Sequence, residues 1–378
     1  MSINMGTPKT LLAAGSTLLL FSLALTTVTV ASASEATKSP FTRIRGLVAP
    51  VFTPMKFSDA GGVVVDLSKV PAQSAYLNRT GVDWAYTAGT TGESVDLTVA
   101  ERIALAHAWI DVGVTKVIVH VGAESLVDAK RMAADAEAYG ANAIAAMPPT
   151  YLKPATLEAL VATMAAVAAE APNTPFYYYH IPIMTGVTFP MADFFALADA
   201  AIPSLIGVKF AYGALDDMSL TVNYGPFKNG PAWRQGQRPN VLFGKDQYLL
   251  SALVLGADGG VGTTYNWNGE LQNAMMAAYR QGDHAMARQA QLAVTRMVVA
   301  MVNASTSPSL AGSLAFKVAM NAIGLDKLDM GPPRLPMLPA SSAGLASMKK
   351  TLSAWCADTP EIIRPSWCVG PGGGIPPV

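Results

Sequence analysis

Eight short apolar runs, each followed by a stretch with helical periodicity, succeed one another along most of this chain. The runs span 46–52, 84–88, 117–121, 143–147, 176–179, 205–209, 241–243 and 259–262. Buried strands that alternate with amphipathic helices are typical of a parallel sheet covered by helices. Eight such repeats predict a closed (β/α)8 barrel, the TIM barrel fold.

The main alternative is an open, doubly wound sheet, which normally carries a glycine-rich phosphate turn after its first strand. Here that turn reads Thr53-Pro54-Met55-Lys56, which does not fit. A glycine-rich segment at 256–260 precedes a strand, so it stands in the wrong context for a phosphate loop. The closed barrel is therefore favoured over the open sheet.

The barrel is predicted to occupy residues 41–283, followed by a helical extension at 284–357. The extension contains three helical segments, roughly 284–302, 308–323 and 341–357, with a proline-rich link before the last one. The remaining residues, 358–378, end in glycine and proline and are predicted to be a disordered tail. No second catalytic domain is expected.

The first 33 residues have a different character from the rest. A lysine precedes an apolar stretch at 11–30, and Ala31-Ser32-Ala33 follows as a small-residue cleavage pattern. This predicts a signal peptide that directs the chain to the secretory pathway. Frequent Ser and Thr keep a plastid or other organellar targeting peptide as the alternative. No association with a membrane is expected after processing, because no second run of membrane length occurs.

Composition excludes several classes of function. The chain has 26 Lys plus Arg and 26 Asp plus Glu among 378 residues, so no basic field exists to attract nucleic acid. The four histidines are scattered, and two cysteines alone cannot build a zinc site, so no metal site is predicted. In an oxidising compartment Cys356 and Cys368 could form a disulfide; two free thiols remain the alternative.

Lys209 ends the sixth predicted strand, within the apolar run Leu205-Ile206-Gly207-Val208-Lys209. Burial disfavours an ammonium ion, so a buried lysine needs a partner or a lowered pKa, and a neutral amine can attack a carbonyl. Taken alone, a lysine whose amine reaches water at the strand end is the better-supported interpretation. The barrel's active site lies at the C-terminal ends of its strands, which favours Lys209. Lys245, after the seventh strand, is the rival nucleophile, and Lys116 lies at the opposite end of the barrel.

Polar groups follow other strands at the same end of the predicted barrel. The loop Gly89-Thr90-Thr91-Gly92-Glu93 exposes amides and hydroxyls suited to a carboxylate, with Glu93 expected to brace the loop. Alternation places Tyr177 and Tyr179 on one face of the fifth strand, where a hydroxyl can relay protons. Tyr151, after the fourth strand, could reach a site, including that of a neighbouring subunit. Each pattern is weak alone, since polar turns and strand aromatics are common.

In combination these patterns are more specific. Gly-Thr-Thr-Gly-Glu and Tyr-His-Ile-Pro come after strands two and five. Gly-Val-Lys stands at strand six and Gly-Ala-Asp-Gly-Gly-Val-Gly-Thr-Thr-Tyr-Asn at strand eight, so the four occur in chain order. Over most of 43–302 the chain resembles the family of pyruvate-dependent class I aldolases that contains N-acetylneuraminate lyase and dihydrodipicolinate synthase. The resemblance implies a TIM barrel that acts on a keto acid without metal or organic cofactor, and assembles as a homotetramer.

The resemblance also implies roles for single residues. Lys209 matches the lysine that forms the Schiff base, Tyr179 the tyrosine that shuttles the proton, and the pair Thr90 and Thr91 the groups that hold the pyruvate carboxylate. Tyr151 matches a loop tyrosine in a proton relay across a subunit contact. Three further positions match contacts to the hydroxyls of the sugar chain: Gly244, Asp246 and Thr263.

Differences within the family favour cleavage of N-acetylneuraminate to pyruvate and N-acetylmannosamine. Synthase members carry an arginine for a second carboxylate where this chain has Met184. Two positions depart from the lyase pattern: Gln247 stands where an acidic residue is usual, and Ala211 where a hydroxyl is usual. Gln247 can still bind a hydroxyl. Another aldolase or synthase of the family and a catalytically inactive binding barrel stay open as alternatives.

Overall fold

The computed structural model describes residues 41–325 and 327–368, in which eight strands close into a barrel. The barrel strands are β1 (Leu47–Pro50), β2 (Trp84–Thr87), β3 (Lys116–His120), β4 (Ala143–Ala146), β5 (Phe176–His180), β6 (Leu205–Phe210), β7 (Asn240–Phe243) and β8 (Gly259–Val261). Each strand pairs in parallel with its sequence neighbours, and Leu47 of β1 pairs with Gly260 of β8. The predicted closed barrel is confirmed.

A helix follows each barrel strand, and the first seven return the chain to the start of the next strand. These helices are α1 (Val70–Arg79), α2 (Val99–Val112), α3 (Leu126–Tyr139), α4 (Leu157–Ala168), α5 (Met191–Ala201), α6 (Leu215–Val222), α7 (Leu249–Leu255) and α8 (Tyr265–Arg280). Thr98 and Glu101 form a capping box at the start of α2. Gly140 ends α3 with φ +94°, a backbone conformation that glycine adopts without strain.

Two apolar cores lie on either side of the strands. The inner core fills the barrel and includes Tyr177 and Tyr179, whereas Tyr178 belongs to the outer core between strands and helices. This alternation follows from the two-residue period of a strand and confirms the predicted faces of β5. Lys209 points into the barrel, in register with Tyr179 of the neighbouring strand.

Glycine is sterically required where strands approach one another closely. A Cβ at Gly207 would lie 2.1 Å from the carbonyl oxygen of Asn240, and a Cβ at Gly259 would lie 2.0 Å from that of Gly46. Real Cβ contacts are never this short, so both positions exclude every other residue type without movement of the backbone. Gly207 therefore allows β6 to approach β7, and Gly259 allows β8 to approach the segment that leads into β1.

Three helices after the barrel form a further layer: α9 (His284–Ser305), α10 (Ala315–Ile323) and α11 (Ser342–Asp358). The indole of Trp355 in α11 donates to the carbonyl oxygen of Ala293 in α9 at 2.9 Å. A small hairpin that the sequence patterns did not predict, Met55–Phe57 paired with Val63–Val65, follows β1. The guanidinium of Arg334, between α10 and α11, donates to the carbonyl oxygen of Val63 at 2.9 Å.

The segment after α11 is structured further than the sequence suggested. Cys356 and Cys368 form a disulfide, and short 3-10 turns occupy Glu361–Ile363 and Ser366–Cys368. Trp367 is buried and stacks on Trp355 at 5.7 Å between ring centroids. Residues 358–368 thus pack on the helical layer instead of forming a disordered tail, because the disulfide and the indoles hold them there.

The remaining predictions for the two ends lie outside the described residues. These are the targeting peptide at 1–33 and the end of the tail from residue 369 onward. Within 41–325 and 327–368, no helix combines the length and the apolar character needed to cross a membrane.

Candidate active site

Lys209 lies at the C-terminal end of β6 inside the barrel, with only 4 % of its surface exposed. Its Nζ lies 3.8 Å from the ring centroid of Tyr179 and 4.0 Å from that of Tyr86. The two rings remove water from the amine, and no carboxylate forms an ion pair with it in the described part of the chain. Of the two interpretations of Lys209, the structure selects the buried amine over the lysine that reaches water.

Burial lowers the pKa of Lys209 from 10.5 to about 7, although the negative charge of Asp246 acts in the opposite direction. At neutral pH a large fraction of the amine is therefore unprotonated. An unprotonated lysine amine is a nucleophile toward carbonyl carbon. The environment of Lys209 is thus suited to Schiff-base formation.

The loop between β2 and α2 carries two threonines to the mouth of the barrel. Thr90 Oγ1 and Tyr179 Oη lie 3.2 Å apart, and Thr91 Oγ1 and Thr263 Oγ1 lie 2.7 Å apart. Among the described residues, no acceptor takes a hydrogen bond from the backbone N–H groups of Thr90 and Thr91. Free amides beside hydroxyls form an anion-binding concavity, as the glycine-rich sequence predicts. The loop therefore offers a carboxylate site opposite Lys209.

Tyr179 completes an inner group of site residues that also contains Lys209, Thr90 and Thr91. Burial raises the pKa of its phenol to about 12, while the hydrogen bond with Thr90 lowers it. The phenol is neutral at pH 7 and can act as a proton donor. A positive iminium at Lys209, next to the ring, would favour the phenolate by charge attraction. The geometry thus couples the protonation of Tyr179 to chemistry at Lys209.

Asp246 is buried close to this group but is turned toward the loop after β8. Its Oδ2 accepts hydrogen bonds from the backbone N–H of Thr264 at 2.7 Å and from Thr264 Oγ1 at 2.6 Å. Burial raises its pKa, and its hydrogen bonds with Thr264 act against this. Position 244 must be glycine, since a Cβ there would lie 2.6 Å from Cβ of Ala211.

Gln247 is half-buried at the start of the turn before α7, and the C-terminal layer holds its backbone. Thr295 Oγ1 of α9 donates to the carbonyl oxygen of Gln247 at 3.0 Å. Gln291 Nε2, one helical turn earlier, donates to the carbonyl oxygen of Asp246 at 3.1 Å. The appended helix α9 therefore positions the loop that carries two of the sequence-predicted contacts.

Three other predicted residues lie apart from the inner group. Tyr151 is 86 % exposed on a loop whose amides donate to the carboxylate of Glu124. Lys245 is half-buried at the rim, in a cleft beside Ala211. Lys116 starts β3 at the opposite end, with its Nζ 5.4 Å from the ring centroid of Trp84. Of the three lysines Lys116, Lys209 and Lys245, Lys209 is thus the one that lies against Tyr179.

The site contains residues that the sequence patterns did not single out. Tyr86 covers Lys209, and the alternation of β2 alone could have placed its ring inside the barrel. His120 donates through Nδ1 to the carbonyl oxygen of Ala88, 2.9 Å away, and burial lowers its pKa well below 6.5. A neutral ring must donate here, because a carbonyl only accepts. Arg102 donates to the carbonyl oxygen of His120 at 2.7 Å.

Lys317 of α10 reaches this region from the C-terminal layer. Its Nζ donates to Oε1 of Glu93 at 2.6 Å and to the carbonyl oxygen of Thr53 at 3.1 Å. Glu93, with φ +56°, thus braces the loop as the sequence suggested, and its partner comes from the C-terminal layer. No sequence pattern links residues so far apart. Across 41–325 and 327–368, no cluster of three or more His, Cys, Asp or Glu side chains could hold a metal ion.

Comparison with known proteins places this arrangement in a family. The dihydrodipicolinate synthetase family model matches residues 43–355. The chain belongs to this family. It is therefore a class I aldolase, a carbon–carbon lyase.

Individual relatives agree with this assignment. N-acetylneuraminate lyase of Danio rerio is 38% identical over 304 residues, which cover 79% of this chain and 92% of the relative. The human protein of that name is 37% identical over 306 residues, covering 80% and 89%. The structure of N-acetylneuraminate lyase (sialic acid aldolase) from Aliivibrio salmonicida has a TM-score of 0.73 and 30% identity, covering 85% of this chain and 99% of the other.

Proposed function

We propose that this protein cleaves N-acetylneuraminate to pyruvate and N-acetylmannosamine through a Schiff base on Lys209. The observation that carries the proposal is the buried amine of Lys209, with its lowered pKa, beside Tyr179 and across from free amides at Thr90 and Thr91. Family membership and the names of the relatives support the choice of substrate.

The reaction begins when the neutral amine of Lys209 attacks the C2 carbonyl of the open-chain substrate. Loss of water gives a positively charged iminium, which attracts electrons from the C3–C4 bond. As the C4 hydroxyl loses its proton, the C3–C4 bond breaks, the aldehyde sugar leaves, and the electron pair forms an enamine. Protonation at C3 and hydrolysis then release pyruvate and restore the amine of Lys209.

Tyr179 is the proposed proton carrier. Its phenol is neutral in the free protein, because burial raises its pKa to about 12. When the iminium forms against its ring, the phenolic proton leaves with the hydroxyl of the carbinolamine as water, and Thr90 donates to the phenolate oxygen that remains. The phenolate can then take the proton from the C4 hydroxyl and return it later to C3.

Thr90 and Thr91 are proposed to hold the carboxylate of the keto acid. Their backbone N–H groups are free, and the two hydroxyls are fixed by Tyr179 and Thr263. Hydrogen bonds to a carboxylate are stronger than those between neutral groups. These hydrogen bonds would place the C2 carbonyl of the substrate next to the amine of Lys209. The iminium provides the electron sink, so we propose that the reaction uses no metal or organic cofactor.

Another aldolase of the same family is the second candidate. Ala211 and Gln247, beside the cleft at the barrel rim and in the loop after β7, lack the hydroxyl and the acid usual in the lyases. Both would contact the departing aldehyde instead of the pyruvate half. A panel of aldehydes, condensed with pyruvate, separates the two candidates, since the lyase should prefer N-acetylmannosamine.

We further propose a homotetramer in which the loop of Tyr151 meets a neighbouring subunit. Tyr151 and Leu152 are 86% and 83% exposed, and Ile183, in the short helix Pro182–Thr185 after β5, is 77% exposed. Large apolar side chains exposed to water favour a protein partner. Light scattering of the purified protein would give the number of subunits.

For the compartment, we propose the secretory pathway, with a plastid or other organelle as the alternative. The disulfide between Cys356 and Cys368 supports an oxidising environment. A fluorescent fusion that keeps the first 33 residues of the 378-residue chain would separate the two destinations.

Trapping the covalent intermediate tests the central proposal. The protein is incubated with pyruvate and borohydride, and peptide mass spectrometry locates the adduct. The expected adduct lies on Lys209, and the variant Lys209→Ala should give none. Labelling of Lys245 would move the nucleophile to the rim, and no adduct on folded protein would exclude Schiff-base chemistry. Release of pyruvate from N-acetylneuraminate then tests the substrate.

A further inference from the structure

Ala88 leads from β2 into the loop that carries Thr90 and Thr91, and its backbone lies in the left-handed region at φ +50°. A residue other than glycine is strained there, because its Cβ crowds the backbone. Glu93, at the far end of the same loop, has φ +56°. Strained conformations persist only where the surrounding structure holds them. The loop must therefore be held at both ends, and Lys317 holds the end at Glu93.

The imidazole of His120, at the end of β3, holds the other end of this loop. Its Nδ1 donates to the carbonyl oxygen of Ala88 at 2.9 Å. His120 and Ala88 are each only 1% exposed, so the hydrogen bond is shielded from water. Loss of the donor would leave the carbonyl oxygen where water does not readily replace it, which makes this hydrogen bond costly to break.

Contacts on the other side of the ring fix its tautomer. The backbone N–H of Met147, after β4, donates to Nε2 of His120 at 3.4 Å, so Nε2 is the acceptor and Nδ1 carries the proton. Arg102 lies 3.3 Å from Nδ1 but cannot donate to a protonated nitrogen, and it donates instead to the carbonyl oxygen of His120 at 2.7 Å. Burial and the positive charge of Arg102 both lower the pKa of His120, which keeps the ring neutral.

The ring of His120 lies close to the reacting groups without a free nitrogen to offer them. It packs edge-on against Tyr179, with centroids 5.8 Å apart, and stacks on Tyr86 at 5.9 Å. These are the two rings that cover the amine of Lys209. Because backbone groups of Ala88 and the β4 loop occupy both nitrogens, His120 is not a proton carrier for the substrate. Any contribution to the reaction must pass through the backbone that it holds.

We propose that His120 is a positioning residue for the carboxylate of the keto acid: its hydrogen bond to Ala88 holds the strained turn that sets the direction of the amides of Thr90 and Thr91. The inference rests on the proposed function, in which the carboxylate binds those amides. Thr90 follows Ala88 by two residues, so a rotation about the backbone of Ala88 changes the direction of both amides. Without the hydrogen bond, Ala88 can relax to an unstrained φ, and the amides no longer converge on one anion.

Two substitutions separate the hydrogen bond from the packing of the ring. His120→Asn keeps an N–H donor where Nδ1 stands but removes the ring, whereas His120→Phe keeps an aromatic ring and removes both nitrogens. The rate of trapping by cyanoborohydride, measured over a range of pyruvate concentrations, gives the half-saturating concentration and the maximal rate. In His120→Phe the half-saturating concentration should rise by about tenfold, the scale of one lost hydrogen bond, with roughly the wild-type maximal rate. In His120→Asn both quantities should stay near the wild-type values.

A purely structural role for the ring predicts the reverse order, with His120→Asn impaired and His120→Phe near the wild type, and that result overturns the proposal. An equal increase in both variants, or a lower maximal rate with an unchanged half-saturating concentration, overturns it as well. His120→Leu, which has the branching of asparagine without a donor, takes the place of His120→Phe if denaturant unfolding shows that the phenylalanine variant is not folded. If Lys209 is trapped equally in all of these proteins, the role of His120 fails and the aldolase proposal stands. If the wild type is not trapped at all, the aldolase proposal itself fails.

Discussion

Nζ of Lys317, in the second helix after the barrel, lies 2.6 Å from Oε1 of Glu93 in the loop that presents Thr90 and Thr91. Both side chains are almost completely buried, each with 2% of its surface exposed. Burial raises the pKa of Glu93 and lowers that of Lys317, while the charge of each partner acts in the opposite direction. The appended helices therefore hold the carboxylate loop by a buried ion pair.

Removing one partner of this pair should affect both stability and substrate binding. In Lys317→Met the carboxylate of Glu93 loses its cation, and the free energy of unfolding should fall by about 3–5 kcal/mol. Because the ion pair with Lys317 no longer holds the loop of Thr90 and Thr91 in place, KM for the keto acid should rise more than kcat falls. Denaturant unfolding and steady-state kinetics measure the two effects.

The double variant Glu93→Gln with Lys317→Met is the matched control. It removes both charges, so no uncompensated ion remains buried, and part of the lost stability should return. The increase in KM should persist, since the ion pair that holds the loop is still absent. A double variant no more stable than Lys317→Met would show that the unpaired charge is not what destabilises the single variant.

The pKa of Lys209 predicts how Schiff-base formation depends on pH. Because the neutral amine reacts, the trapping rate with pyruvate and borohydride should rise with pH and level off above an apparent pKa of about 7. Asp246 raises the pKa of Lys209, so Asp246→Asn should shift the profile to lower pH. The asparagine oxygen can still accept from Thr264. A profile that rises only near pH 10 would contradict the buried, neutral amine.

The hydroxyl of Thr90 should matter for proton transfer. Thr90→Val keeps the shape of the side chain and the free backbone amide but removes the hydrogen bond to Tyr179. In the wild type this hydrogen bond lowers the pKa of the Tyr179 phenol. We expect kcat for cleavage to fall by roughly tenfold or more, the cost of a lost hydrogen bond to a charged group. Thr91→Val, whose hydroxyl contacts Thr263, should mainly raise KM. Equal effects of the two variants on kcat would argue against a separate role for Thr90.

Local patterns were sufficient for the barrel and for the inner residues of the site. The two-residue period placed Tyr179 inside β5, and the rule that barrel sites lie at strand C-termini selected Lys209 over Lys116. Both inferences depend only on strand order and side-chain alternation. A sequence with clear strand boundaries contains that information.

Residues joined by packing between distant segments were not predictable in this way. Lys317 pairs with Glu93 across 224 positions, and the link between α9 and the backbone of Asp246 depends on how the appended helices dock. Residues 358–368 were misjudged for a similar reason. They were predicted to belong to a disordered tail, but the burial of Trp367 holds this segment through Cys368.

The disulfide between Cys356 and Cys368 should stabilise this last segment without taking part in catalysis. It closes a loop of sequence separation 12, and Trp367 Nε1 donates to Oδ1 of Asn268 at 3.2 Å beneath it. Cys356→Ser with Cys368→Ser should lower the free energy of unfolding by about 2–3 kcal/mol, as expected for a short loop. Dithiothreitol should destabilise the wild type by a similar amount and leave the double variant unchanged. Trapping at Lys209 should be retained in both at 25 °C, and its loss in folded protein would show that the C-terminal segment supports the active site directly.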